Sequence, residues 1–201
     1  LILGEEEFRG VINESVDFVR KHKALMTIGI RPSRPDTGYG YIQVEPSDSH
    51  GNISKVKTFT EKPNLEMAKI FLQSGEFFWN SGIFIWKVKT ILDSISELLP
   101  ELYQLFDSIA PYYNTDDEDK HIGVIYPECR AASIDIGVME KAENVYVRCS
   151  DFGWSDIGTW GSLYQYSDKD PSGNAARGEA LFYDTENCIV RMPARKMAVI
   201  D

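Results

Sequence analysis

Neither a Walker loop nor a GxGxxG fingerprint occurs in the 201 residues. A phosphate cradle built from glycine amides at a helix N-terminus is therefore absent from the sequence. Long apolar runs are missing too, which predicts no membrane span. Cysteine is scarce: Cys129, Cys149 and Cys188 are odd in number and widely spaced, which argues against a disulfide framework or zinc cluster and suits reduced thiols in a cytoplasmic setting. His22, His50 and His121 fall at a helix end, in a turn and in a loop, with no nucleophile elbow nearby, so a hydrolase triad is not on offer. Bases are outnumbered, 21 Lys and Arg against 31 Asp and Glu, for a formal net charge of -10. A groove that tracks nucleic-acid phosphates needs the opposite balance, though a local lysine or arginine can still hold one small anion. No methionine or basic leader precedes Leu1, giving the expectation of a piece of a longer chain with no secretory signal.

What is present is a globular composition, 43% apolar and 26% charged, enough to bury a core. After Glu5-Glu6-Glu7, the apolar residues Phe8, Val11, Ile12, Val16 and Val19 recur at helical spacing, with Arg20, Lys21 and Lys23 at the far end. Residues 24–30 read as a buried strand, and the order helix then strand predicts α/β layering. Pro32 and Pro35 make 31–38 a loop. A strand resumes at Tyr39, residues 46–52 read as a turn, and 54–61 as the antiparallel partner strand. Asn64 is placed to cap a helix that Gly75 stops. Further helices are predicted over 88–99, 102–110, 133–141 and 159–166, with strands over 83–87 and 145–148. Asp116 to Asp119 reads as a solvated loop. From Glu179 the helical signal gives way to short strands at 179–183, 188–191 and 197–200.

Three stretches carry chemistry. Phe59-Thr60-Glu61-Lys62-Pro63 ends a strand, where alternation should send the Glu61 and Lys62 side chains apart; a cation for phosphate and a carboxylate for hydroxyls is one reading, ordinary edge residues the other. Trp79-Asn80-Ser81-Gly82 offers an amide that can orient a polyol, or a common Asn-Ser-Gly turn. In Gly153-Trp154-Ser155-Asp156, Asp156 precedes a helix and either caps it or binds Mg2+. Gly40 implies a bulge or a close approach to the backbone. Asp168 to Glu179 partly matches a calcium loop but reads better as a turn.

Taken in order, Arg34-Pro35-Asp36-Thr37-Gly38-Tyr39-Gly40-Tyr41-Ile42, Phe59 to Pro63, Trp79 to Phe84, Ser133-Ile134-Asp135 with Val138-Met139-Glu140-Lys141, and Gly153 to Trp160 resemble the mannose-1-phosphate guanylyltransferases, the GDP-mannose pyrophosphorylases of the sugar nucleotidyltransferase family. The resemblance implies an α/β fold with a Rossmann-like mixed sheet over residues 1–175, then the start of a left-handed β-helix over 176–201. It implies transfer of GMP from GTP to mannose 1-phosphate with Mg2+. Lys62 would hold the sugar phosphate, Glu61 and Asn80 the mannose hydroxyls, Gly40 would approach the sugar, and Asp156 would bind the metal. The family's glycine-rich signature, base-recognition residues and first metal aspartate have no counterpart here, so the chain is expected to be inactive alone, and to self-associate through exposed sheet edges. A related hexose-1-phosphate nucleotidyltransferase and a non-catalytic sugar-phosphate-binding subunit remain alternatives.

Overall fold

The computed structural model describes residues 1–193 and 196–200. Two compact units divide it, Ile2–Trp154 and Leu1 with the chain from Ser155 onward. Among the described residues no helix is long and apolar enough to cross a membrane.

In the larger unit, α1 (Glu5–Lys21) carries three glutamates in its first turn and Arg20 and Lys21 in its last, each sign complementing the nearer end of the helix dipole. Its buried stripe is Val11, Ser15, Phe18 and Val19. Phe18 is buried where Val16 is only partly so, and Ser15 is accommodated by donating to the Val11 carbonyl at 2.7 Å. β1 (Leu25–Ile30) follows with all six residues buried, as a strand covered on both faces must be. β2 (Tyr41–His50) and β3 (Ile53–Thr60) form an antiparallel pair. The predicted turn over 46–52 is largely strand: β2 runs on through Pro46, at an irregularity in register between Glu45 and Ser49, where the lost amide is tolerated.

α2 (Leu65–Ser74) begins where expected, with the Asn64 side chain accepting from the Met67 amide at 2.9 Å, and ends at Gly75. β4 (Phe77–Trp86) absorbs the whole Trp79 to Gly82 stretch. α3 (Val88–Leu98) and α4 (Pro100–Ser108) are separated at Leu99, with Pro100 in the first turn of α4. The acidic run was expected to be loop; α5 (Glu118–Ile125) starts within it, since Glu118 and Asp119 favour a helix N-terminus. Residues Asp135–Met139 form a single π-helical segment before β5 (Val145–Ser150).

The strand pairing closes into a ring in the order β1-β4-β2-β3-β5, parallel only between β1 and β5. Core packs on both faces of this mixed sheet. Ile28, Ile30, Tyr41, Phe71, Phe77 and Trp79 gather with Val11 of α1, while Leu25, Ile42, Phe59, Val145 and Val147 gather with Ile91, Val138 and Met139. Trp79 is 4% exposed, with Arg34 5.2 Å over its ring and Tyr39 edge-on at 5.0 Å. Its buried indole N–H has no acceptor among the described residues.

β1 and β4 are out of step at one point: Thr27 faces Phe84 and Gly29 faces Asn80, so Ser81–Ile83 bulge opposite Ile28. Gly82 sits at φ 71°, a left-handed conformation costly for other residues. Side chains take up the backbone groups that the bulge leaves unpaired. Ser81 donates its hydroxyl to the Ile28 carbonyl at 2.8 Å, and the Thr27 hydroxyl lies 3.3 Å from the Ile83 carbonyl.

In the smaller unit, α6 (Trp160–Gln165) is capped by Thr159, whose hydroxyl accepts from the Ser162 amide at 3.1 Å. β6 (Ala175–Arg177) pairs parallel with β8 (Ile189–Arg191), and β7 (Glu179–Phe182) with β9 (Met197–Ile200). The calcium-like stretch is a turn, with Asp170 Oδ1 accepting from the Ser172 and Asn174 amides at 3.0 and 2.8 Å.

Candidate functional site

Four of the residues singled out in the sequence converge at one end of the ring: Gly40 before β2, Glu61 and Lys62 after β3, and Asn80 in β4. The Asn80 amide donates to the Gly40 carbonyl at 2.8 Å, joining β2 to β4 beside the bulge. Bulges re-aim side chains at the rims of barrels, and Asn80 flanks this one. The fit is close: a Cβ on Gly40 would lie 2.6 Å from Glu61 Oε2 and 3.4 Å from Asn80 Cβ. Gly40 is thus glycine because Glu61 occupies the space, not because a turn requires it.

Glu61 and Lys62 do not diverge as strand alternation would have them. β3 ends at Thr60, and Lys62 takes φ 46°, a left-handed conformation that swings its side chain back. Its ammonium meets Glu61 Oε1 at 2.5 Å, with the Glu61 side chain 15% exposed and that of Lys62 62%. That hydrogen bond, then the Glu61 charge itself, raises the Lys62 pKa, with a smaller contribution from Asp135. The lysine is cationic at neutral pH and largely in solvent, where it can reach an anion.

Asp135, quoted in the sequence only within Ser133-Ile134-Asp135, belongs to the same cluster. Asn80 Nδ2 donates to Asp135 Oδ1 at 2.9 Å, and Asn80 Oδ1 accepts from the Thr27 hydroxyl at 2.9 Å and the Gly82 amide at 3.2 Å. Asp135 opens the π-helical segment, a conformation frequent at functional sites. Burial, and after it the Glu61 carboxylate, raises its pKa above the ordinary carboxylate value; its backbone amide, Asn80 and Lys62 pull the other way. A carboxyl whose folded pKa is raised favours the folded state while protonated, and that contribution is lost as pH rises through the folded pKa. Asp135→Asn is therefore expected to raise the melting temperature near neutral pH by on the order of a degree or two, and to change it little in acid, where the carboxyl is protonated folded and unfolded alike. Melting curves at the two pH values check this; equal shifts at both would contradict it.

Asp156 lies in the smaller unit. It does not cap α6, that place being taken by Thr159; its Oδ1 accepts from the Gly158 amide at 3.0 Å in an exposed turn where Ile157 has φ 49°. Among the described residues no group of three or more His, Cys, Asp or Glu side chains could hold a metal ion.

The cluster around Asn80 offers an exposed cation, two carboxylates and an oriented amide, a set able to hold a phosphorylated polyol: the cation for phosphate, the acceptors and the amide for hydroxyls. Several proteins are similar to this chain in sequence or fold. A mannose-1-phosphate guanylyltransferase from Escherichia coli is 35% identical over 202 residues, covering 96% of this chain and 42% of the relative. The chain thus spans less than half the length of such curated relatives. Among solved structures, a mannose-1-phosphate geranyltransferase from Thermus thermophilus matches with a TM-score of 0.84 and 28% identity, over 100% of this chain and 57% of that one. A mannose-6-phosphate isomerase from Helicobacter pylori matches with a TM-score of 0.64 and 26% identity, over 78% of this chain and 61% of that one. The nucleotidyl transferase family model matches residues 1–173, and on that match, joined to the mixed α/β sheet, the chain belongs to the nucleotidyl transferase family.

Proposed function

We propose that this chain forms the sugar-phosphate wall of a mannose-1-phosphate guanylyltransferase, which transfers GMP from GTP to mannose 1-phosphate and releases pyrophosphate. The observation that carries the reading is that Glu61, paired with Lys62, meets Asn80 beside Gly40. In this reaction a phosphate oxygen of the sugar phosphate attacks the α-phosphorus of GTP. That oxygen is already anionic at neutral pH, so the protein's task is orientation and charge neutralisation rather than covalent catalysis. Lys62 holds the sugar phosphate, Glu61 accepts from mannose hydroxyls, Asn80 fixes their orientation, and Gly40 approaches the sugar through its backbone.

Asp156 is the candidate Mg2+ ligand. A single exposed carboxylate suits this ion, which is bound through one or two protein carboxylates together with substrate phosphates and water. When bound, it neutralises phosphate charge. Residues 1–175 then belong to the transferase domain and 176–201 begin a β-helix-like one.

Because the match covers under half of the guanylyltransferase relatives, the 201-residue chain supplied with GTP, mannose 1-phosphate and Mg2+ is expected to yield no GDP-mannose while still binding mannose 1-phosphate in a calorimeter. Turnover would overturn the expected inactivity. Failure to bind mannose 1-phosphate would overturn the wall assignment. Glucose 1-phosphate and mannose 6-phosphate, run in parallel, separate the reading from a related nucleotidyltransferase and from the isomerase named for the second structure.

A further inference from the structure

We infer that Thr27 is a positioning residue whose buried hydroxyl fixes Asn80 with its amide oxygen turned into the sheet, so that Asn80 meets a ligand only as a hydrogen-bond donor. The inference rests on the reading of Asn80 as a sugar ligand, and it adds which end of that amide the sugar meets.

The argument is a count of donors. Thr27 sits in the middle of β1 with no exposed surface, a place where a hydroxyl is costly unless it is bonded. Of the two acceptors within its reach, Asn80 Oδ1 at 2.9 Å is nearer than the Ile83 carbonyl at 3.3 Å, so its one proton points chiefly to Asn80. The Gly82 amide, 3.2 Å from the same Oδ1, can only donate as well. Turning the Asn80 amide over would set its NH2 against that N–H and carry the amide oxygen to the Asp135 carboxylate, replacing attractive contacts with repulsive ones. With Oδ1 occupied by two donors, the recognising end is Nδ2. One of its hydrogens goes to Asp135 Oδ1 at 2.9 Å, and the other is left for a ligand.

A matching ligand presents a hydroxyl oxygen to Asn80 and passes its own proton to a carboxylate, and both Glu61 and Asp135 are close by. A hydroxyl can do both at once. A deoxy sugar, or one with that hydroxyl inverted away, cannot. The β1–β4 bulge is what makes this possible, because only an irregular register puts the Gly82 amide against the Asn80 side chain.

Thr27→Val removes the hydroxyl at nearly constant volume, and Thr27→Ser restores it. Two quantities are measured on the 201-residue chain: the solvent-exchange rate of the Asn80 side-chain amide protons in 1H–15N spectra, assigned by their loss in Asn80→Ala, and the dissociation constants of mannose 1-phosphate and inorganic phosphate by calorimetry. Thr27→Val is expected to speed the Asn80 exchange several-fold and to weaken mannose 1-phosphate by about five- to tenfold, the loss that one hydrogen bond implies. Inorganic phosphate, which needs no Asn80, should bind unchanged, and Thr27→Ser should stay within about twofold of the starting protein on every count. Unchanged exchange in Thr27→Val, equal loss of phosphate binding, or failure of serine to rescue would each overturn the inference. Should the valine variant not fold, Thr27→Ala against Thr27→Ser makes the same comparison. If the starting chain binds no mannose 1-phosphate, the functional reading fails and the exchange rates alone decide the role of Thr27.

Discussion

Gly40→Ala is expected to weaken mannose 1-phosphate binding by about 10- to 100-fold while leaving the fold intact, the loss corresponding to the roughly 1.5–3 kcal/mol carried by hydrogen bonds to a charged group. The added methyl would stand 2.6 Å from Glu61 Oε2 and 3.4 Å from Asn80 Cβ, so something must move. What moves is the far end of a side chain: Glu61 follows the end of β3 and can swing outward, whereas Asn80 is held by Thr27, Gly82 and Asp135. The fold gives way cheaply and the site does not. Calorimetry with mannose 1-phosphate and a melting curve together check this; unchanged affinity with an unchanged melting temperature would show that Glu61 does not contact the sugar.

The second large effect concerns Lys62, where charge and backbone can be separated. Removing the ammonium takes away the cation of the cluster and is expected to weaken mannose 1-phosphate by about 10- to 100-fold, whether by Lys62→Ala or Lys62→Gly. The two variants should differ in stability. At φ 46°, alanine keeps a left-handed conformation that costs an L-residue about 1–2 kcal/mol, whereas glycine escapes it and loses only roughly 0.5–1 kcal/mol to the greater freedom of its unfolded chain. Lys62→Gly should therefore melt above Lys62→Ala while binding no better. Because Lys62 is largely exposed, the affinity of the unsubstituted chain should also fall with added salt. An alanine variant as stable as the glycine one would mean that position 62 relaxes without the lysine, so that Lys62 itself holds the turn.

The sequence was most informative where local chemistry decides local structure. Asn64 and Gly75 bound α2 as expected, Pro100 opens α4, and the apolar run 25–30 is a strand buried on both faces. It misled where tertiary pairing overrides local preference. Pro46 and the polar residues around it resemble a turn, yet they continue β2, because β3 supplies a partner and a register irregularity absorbs the proline. The acidic run at 116–119 resembles solvated loop because its charges are visible in the sequence and the helix they begin is weakly amphipathic. At the site, Gly40, Glu61, Lys62 and Asn80 could be picked out as chemistry-bearing residues, but how they meet could not. The Glu61–Lys62 contact depends on one left-handed residue, which no alternation rule anticipates. Thr27 and Asp135 looked like an ordinary strand residue and an ordinary helix-start residue; only the β1–β4 bulge brings them to opposite ends of one amide. The single signal available was the company Asp135 keeps with Ser133 and Glu140, whose Oε1 accepts from the Glu61 amide at 3.2 Å.

The neighbour of Asn80 gives the molecule an optical gauge. Trp79 keeps its ring against Arg34 and Tyr39, and its buried N–H has no acceptor among the described residues, so its fluorescence should lie to the blue of an indole in water such as the exposed Trp160. Asn80 follows Trp79 directly in β4, so a ligand held by Asn80 sits one residue from that ring. Occupancy of the cluster should then be readable from the blue side of the tryptophan emission, with no label attached.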